Sequence, residues 1–148
     1  MIERQIDLWP LWKETEKSLR SVITSKMLEQ YGEDWVNRLE RAYPNLKAFF
    51  DACREAQQKE ERTFGSRASR NLLDFTYPQD LFAIIFKEWN IFKALFGKDK
   101  AYWEQRIQIL SKVRNPLAHN RDSALYDYEK KLAEGYCNEI LTVLSKNE

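Results

Sequence analysis

The stretch LFAIIFKEWNIFKALF, residues 81–96, decides the fold class of this chain. Pro78 precedes it and Gly97 follows it, and both residue types commonly mark the limits of a helix. The run is too long for a strand, and its apolar side chains fall on nearly every side of a helix. We therefore predict one helix over residues 78–96, lying at the centre of a helical bundle or contributing one face to a dimer. Its aromatic side chains are assigned to a core rather than to a ligand pocket.

The segments on either side carry apolar residues at spacings of three and four, the period of amphipathic helices. Pro44 interrupts the N-terminal half, Asp99 is suited to cap one helix, and Asn115 with Pro116 is suited to start the last. The predicted helices are residues 11–31, 33–43, 46–62, 78–96, 100–114 and 116–145. Nothing has the alternation of a strand, so we predict an all-α fold, a bundle of four to six helices in a single domain over residues 1–148.

The composition excludes several kinds of site. The net charge is +1 over 148 residues, so any anion-binding surface has to be local. The two cysteines, Cys53 and Cys137, have no paired spacing and fall in helical segments, which indicates buried thiols. With one histidine and no CxxC motif we expect no metal and no cofactor.

No signal-peptide pattern and no long apolar run is present, so we expect a cytoplasmic protein without a membrane partner.

Residues 63–77 form the one long segment without a helical pattern. Arg67 and Arg70 lie in it, Arg62 comes just before it, and no acidic residue follows Arg62 until Asp74. A solvated surface loop explains this composition, and so does a loop that contacts phosphates. Both interpretations stay open at this point.

The second informative stretch is RNPLAHNR, residues 114–121, which contains the only histidine of the chain. No acidic residue lies between Glu104 and Asp122, so the local charge is positive. A guanidinium binds phosphate through two parallel hydrogen bonds, and an imidazole transfers protons near neutral pH. The predicted helix start at Pro116 would add free N–H groups suited to an anion. Phosphate chemistry is therefore the reaction class that this stretch supports best.

Other familiar sites are not supported. The chain has no GxxxxGK[ST], GxGxxG or GxSxG motif, and a single histidine cannot form a metal triad of histidines within one chain. A catalytic triad of serine, histidine and aspartate has no local signature here.

The pattern Arg114-Asn115-x-x-x-His119 near the last helix of a small all-α domain resembles the HEPN superfamily (higher eukaryotes and prokaryotes nucleotide-binding), and "RNPLAH" looks like its RN-x-x-A-H type branch. Relatives occur in toxin–antitoxin systems, phage defence and RNA processing. The resemblance implies a symmetric homodimer in which two motifs form one composite RNA-cleaving site. It also implies that Arg114 binds the scissile phosphate, His119 transfers protons and Asn115 contacts the phosphate.

Two neighbours extend the candidate site. Asn120 and Arg121 are added as substrate-binding residues from their local position and charge, and Arg67 and Arg70 from the loop described above. Some HEPN toxins carry a tyrosine two residues after the histidine, which a partner nucleotidyltransferase modifies to silence them. Arg121 occupies that position here, so we do not expect this mode of neutralisation.

Three functions remain in competition. The first is a metal-independent endoribonuclease acting as a toxin, defence effector or RNA-processing unit, with RNA as substrate and an antitoxin or regulatory protein as a further partner. The second is a non-catalytic module that binds RNA or nucleotides and dimerises. The third is a helical scaffold in which Arg114 and His119 form a polar corner that pairs with nearby acids.

Overall fold

The computed structural model describes residues 7–76, 78–118 and 121–146, and it describes no side chain for residues 78, 79 and 122. Within these ranges the chain forms seven α-helices and no strand, joined by short 3₁₀ turns. The helices are α1 Leu8–Tyr31, α2 Trp35–Ala42, α3 Asn45–Phe64, α4 Pro78–Lys87, α5 Trp89–Phe96, α6 Lys100–Ala118 and α7 Asp127–Ser145. The all-α prediction is confirmed, with one helix more than the four to six expected.

The additional helix comes from a break inside the apolar stretch. Residues 78–96 are two helices, α4 and α5, because Glu88 leaves the helical region with φ −105° and ψ 35°. Its carbonyl accepts the N–H groups of Ile91 at 2.9 Å and Phe92 at 3.2 Å, and so begins α5. The prediction of a single helix was wrong, since a continuous apolar pattern contains no signal for a backbone turn.

The chain divides into two compact units, one formed by residues 20–87 and the other by residues up to 19 together with those from 88 onward. In the first unit α2 and the 3₁₀ turns Gly65–Arg67 and Leu72–Phe75 pack against α3. Trp35 contacts Phe50 edge to face, with ring centroids 6.2 Å apart, and Phe50 is fully buried. This aromatic contact anchors the core of the unit.

In the second unit α7 packs against both α5 and α6. The ring of Trp103 meets that of Phe96 edge to face at 5.3 Å, and its indole N–H donates to the Gly97 carbonyl at 2.9 Å. Asp99 accepts the backbone N–H of Tyr102 at 2.8 Å, which confirms the predicted cap of α6.

The end of α6 corrects a second prediction. Pro116 does not start a helix with Asn115 as its cap; it lies inside the last turn of α6, which continues to Ala118, and α7 begins only at Asp127. Val113 and Leu117 are both buried, four residues apart on one face, so continuing the helix keeps Leu117 packed. Proline lacks the N–H that would bond to the Lys112 carbonyl four residues earlier, so α6 continues through Pro116 at a local cost that the burial of Leu117 offsets.

Candidate functional site

The last turns of α6 carry the first half of the predicted motif. Arg114 is partly buried, with 19% of its side chain exposed, and its Nε lies 3.9 Å from Oε1 of Glu16 on α1. Glu16 is itself buried and accepts a hydrogen bond from the indole N–H of Trp12 at 2.6 Å. The guanidinium of Arg114 therefore lies beside a buried carboxylate that a tryptophan holds in place.

Asn115 and Arg121 are exposed. The backbone N–H of Arg121 donates to the Pro116 carbonyl at 2.6 Å, and the Arg121 carbonyl accepts the N–H of Ala124 at 2.9 Å. The backbone of Arg121 is thus fixed to the end of α6 although its side chain faces solvent. These bonds bring Asn115 and Arg121, two of the predicted substrate-binding residues, to the same end of α6.

His119 and Asn120, which follow directly on the last residue of α6, lie outside the described residues. Their predicted roles in proton transfer and in substrate binding stay predictions.

The electrostatic setting differs from the expected one in one respect. Because Arg114 lies near the C-terminal end of α6 rather than the start of α7, the helix end next to it presents carbonyls and a partial negative charge. The predicted helix N-terminus does not support anion binding here. A cation at a helix C-terminus is itself favourable, which is consistent with an arginine at this position.

The two loop arginines belong to the other compact unit. Arg67 is exposed at the end of the 3₁₀ turn, with its guanidinium 5.4 Å from the ring centroid of Phe64, and Arg70 is exposed as well. Gln57 donates to the Ser69 carbonyl at 3.2 Å, so the loop is bonded to α3. Arg67 and Arg70 lie in the unit of residues 20–87 and the motif lies in the other unit, so their predicted part in substrate binding stays a prediction.

A second ion pair connects the end of α6 with the start of α7. The Lys112 ammonium lies 2.8 Å from Oε2 of Glu129, and Oε1 of Glu129 accepts the backbone N–H of Tyr126 at 3.0 Å. The hydrogen bond from Lys112, with that from Tyr126, lowers the pKa of Glu129, and the same contact raises the pKa of Lys112. This pair links the start of α7 to the motif-bearing end of α6.

Sequence reasoning missed Glu16 and Glu129. One signal for Glu16 was present, because it falls in the apolar stripe that Trp12, Leu19 and Ile23 form on α1. An acid on a buried face needs partners, and Trp12 supplies a hydrogen bond and Arg114 an opposite charge. Glu129 gives no comparable signal, since it lies among other charged residues of the sequence.

Both cysteines are free and buried, as predicted. Burial raises the pKa of Cys53 and of Cys137 to about 11. Among residues 7–76, 78–118 and 121–146, no group of three or more His, Cys, Asp and Glu side chains is arranged to hold a metal ion. In the same part of the chain no helix has the length and apolarity needed to cross a membrane.

The chain was compared with protein families, with curated proteins and with solved structures. A search of curated proteins and a search of solved structures returned no significant match. The family model described as Swt1-like HEPN matches residues 13–143, a span that includes Glu16, all of residues 20–87, most of the other unit and the complete motif. The chain therefore belongs to the Swt1-like HEPN family, and it is a nucleotide-binding or RNase-like module of the HEPN superfamily.

Proposed function

We propose that this protein is a metal-independent endoribonuclease whose active site is completed by a second copy of the chain. The observation that carries the proposal is the position of Arg114 in a HEPN chain: its guanidinium is partly buried at the end of α6, beside Glu16, and His119 follows in the same motif. A guanidinium whose orientation is restrained in this way is suited to bind a phosphate with defined geometry.

The proposed reaction is an internal transesterification. One His119 removes the proton from the ribose 2′-hydroxyl, and the 2′-oxygen forms a bond to the adjacent phosphorus. The bond from phosphorus to the 5′-oxygen breaks, and that oxygen takes a proton from a second imidazole. Arg114 stabilises the negative charge that develops on the phosphorane, and Asn115 contacts a phosphate oxygen. The products are a 2′,3′-cyclic phosphate and a free 5′-hydroxyl.

The requirement for two imidazoles supports a homodimer. One chain contains one histidine, whereas the reaction uses one base and one acid. Two motifs facing each other across a two-fold axis would supply both groups, with the partner subunit's His119 as the acid. Arg121 is exposed, and its backbone is bonded to the Pro116 carbonyl. Its side chain would contact RNA phosphates next to the one that is cleaved.

The test is an RNase assay with purified protein and end-labelled single-stranded RNA in excess EDTA. We expect cleavage products that end in 2′,3′-cyclic phosphate, and loss of cleavage in His119→Ala and Arg114→Ala. Arg114→Lys should also lose most activity, because lysine keeps the charge but not the two-pronged geometry. Cleavage that persists in His119→Ala would remove the motif from the mechanism.

Arg41→Ala is the matched control. Arg41 is a surface arginine, 72% exposed at its side chain and paired with Asp34 at 3.4 Å, so its loss removes a positive charge far from α6 in sequence. Wild-type cleavage by this variant shows that the effect of Arg114→Ala is specific to the site.

The alternative function is a non-catalytic module that binds RNA or nucleotides and dimerises. The contact between Arg114 and Glu16 favours it, because a guanidinium already beside a carboxylate gives less net positive charge to a phosphate. This alternative predicts RNA binding that weakens with salt and no products in the metal-free assay.

We propose that this RNase acts in the cytoplasm. Its role would be that of a toxin, a phage-defence effector or an RNA-processing enzyme, and its partner would be an antitoxin or a regulatory protein. Arg121 stands where some HEPN toxins carry the modified tyrosine, so we do not expect a partner to neutralise this protein by that modification.

A further inference from the structure

Two tyrosines at the start of α7 are exposed to an unusual degree. Tyr126 is 68% and Tyr128 61% exposed, although aromatic side chains generally bury most of their surface. Tyr126 is the residue that precedes α7 and Tyr128 lies in its first turn. They follow Arg121 closely in sequence, separated from it by the 3₁₀ turn Asp122–Ala124 and Leu125.

The two rings are stacked nearly parallel to each other. Their centroids are 5.8 Å apart and their planes differ by 11°, which is a parallel, offset stack. Aromatic pairs in protein cores adopt many orientations, whereas stacked rings that face solvent present a π-face on which a further flat ring can continue the stack. A nucleobase is such a ring, and aromatic side chains are the usual platforms for unpaired bases.

The backbone beneath the rings is held in place. The N–H of Tyr126 donates to Glu129 at 3.0 Å, and Glu129 is 4% exposed and paired with Lys112 of α6. The backbone from which the Tyr126 ring projects is therefore held by Glu129, which is held in turn by Lys112. A platform fixed before binding loses less conformational entropy when a ligand stacks on it.

The platform is linked to the helix that carries the described part of the motif. Lys112 and Asn115 are three residues apart on α6, so they share a face of the helix and lie about 4.5 Å apart along its axis. Glu129, in the first turn of α7, contacts this face through Lys112, and the 3₁₀ turn Asp122–Ala124 packs against α6. The tyrosines are thus connected to the same side of α6 that exposes Asn115.

From this arrangement we propose that Tyr126 and Tyr128 form a nucleobase-stacking subsite that holds an unpaired base of single-stranded RNA beside the Arg114–His119 motif. The inference rests on the proposed function and names the substrate class for it, RNA with an accessible, unstacked base. Asp127 is exposed between the two tyrosines and would repel phosphate, so the subsite binds the base face and leaves the backbone to the arginines.

The experiment uses the full chain and a short single-stranded RNA that carries 2-aminopurine and 2′-O-methyl groups, which block cleavage. Stacking on tyrosine is expected to quench 2-aminopurine fluorescence on binding. Tyr126→Ala and Tyr128→Ala should each raise the Kd by roughly 5- to 150-fold, which is the loss of affinity typical of removing one aromatic side chain that stacks on a base. Phe at either position should keep the Kd within about twofold, because it retains the ring and loses only the hydroxyl.

Two comparisons make the result specific. Leu132→Ala removes another exposed apolar side chain of α7, 37% exposed, and should leave the Kd unchanged. An abasic oligonucleotide of the same length should bind the wild type and the tyrosine variants equally, because it offers phosphates without bases. A Kd that does not change in the alanine variants, or an equal loss with the abasic strand, overturns the proposal. Absence of any binding of single-stranded RNA by the wild type overturns it as well.

The competing occupant of this surface is a second copy of the chain. Light scattering on every variant decides this point: a wild-type dimer that becomes monomeric in Tyr128→Ala shows an interface between copies and refutes the subsite. Failure of the RNase itself has a different signature. Tyrosine-dependent binding without products from unmodified RNA leaves the stacking subsite in place and assigns the protein to the non-catalytic alternative.

Discussion

Neutralising Glu16 tests the central contact of the candidate site. Glu16→Gln removes the negative charge beside Arg114 and keeps an oxygen that can accept the 2.6 Å hydrogen bond from Trp12. The shape of the side chain is almost unchanged. The variant therefore isolates the electrostatic part of the contact from its packing.

The separation of the two charges sets the magnitude. At 3.9 Å and an effective dielectric constant of about 20, the gross attraction is about 4 kcal/mol. Part of this is offset, because both groups lose hydration on burial and because Arg114 keeps 19% of its side chain exposed to solvent. We expect a net loss of about 1–2 kcal/mol of unfolding free energy, equivalent to a fall in Tm of about 3–6 °C for a chain of this size.

The same change should separate catalysis from binding. Without the carboxylate the guanidinium loses a group that orients it, so kcat for RNA cleavage should fall about tenfold. The KM should stay equal or fall, because one negative charge near the phosphate has gone. At temperatures well below its Tm, a variant that was only less stable would have the kcat and the KM of the wild type.

The measurements are thermal unfolding and steady-state cleavage, with Glu14→Gln as the matched control. Glu14 lies two residues away on α1 and is exposed, so its neutralisation should change neither Tm nor kcat. A double-mutant cycle with Arg114→Gln should give a coupling energy of about 1–2 kcal/mol. If Glu16→Gln behaves like Glu14→Gln in both assays, Glu16 does not hold Arg114 and the reasoning is refuted.

Three further predictions concern the rest of the fold. Burial raises the pKa of Cys53 and of Cys137 to about 11, so only about one thiol in a thousand is ionised at pH 8 and both should react slowly with a thiol reagent. Mass spectrometry should find both cysteines fully modified after unfolding in guanidinium. Rapid labelling of the native protein would contradict their burial. Gly135 is exposed within α7, with nothing within 4 Å of an added Cβ, so Gly135→Ala should raise the unfolding free energy by about 0.5–1 kcal/mol in a denaturant titration, and a decrease would contradict the open space at this position. The hydrogen bond from Lys112 lowers the pKa of Glu129 from 4.5, so this carboxylate stabilises the fold above pH 4.5 and loses that contribution as the pH falls through its lower folded-state pKa. The Tm of Glu129→Gln should therefore decline less steeply over this acid range than the Tm of the wild type. Parallel curves of Tm against pH would exclude the pair as a source of stability.

Several elements follow from local sequence alone. The break at Tyr43 and Pro44, the end of α1 at Gly32 with φ 76° and the cap of α6 by Asp99 were all predictable, because each depends on one residue type and its immediate neighbours. The family was also accessible, since Arg114-Asn115-x-x-x-His119 in an all-α chain is a pattern of residues and not of contacts.

The end of α6 was decided by tertiary structure. The local preference of Pro116 is for the first turn of a helix, where its missing N–H costs no hydrogen bond, and this preference led to the wrong prediction. The burial of Leu117 and the hydrogen bond from the Arg121 N–H to the Pro116 carbonyl outweigh it and keep Pro116 in the last turn of α6. The start of α7 moved accordingly to Asp127, where Glu129 accepts the N–H of Tyr126.

By itself, then, the sequence determined that the chain is helical, that Gly32, Pro44 and Asp99 mark helix limits, and which motif marks the candidate site. Only the tertiary structure decided what surrounds that motif: Glu16 beside Arg114, Lys112 against Glu129, and two tyrosines stacked in solvent. The physical reason is the range of the interactions. Helix periodicity and capping act over about four residues, whereas these contacts join side chains of different elements that come together only when the chain packs.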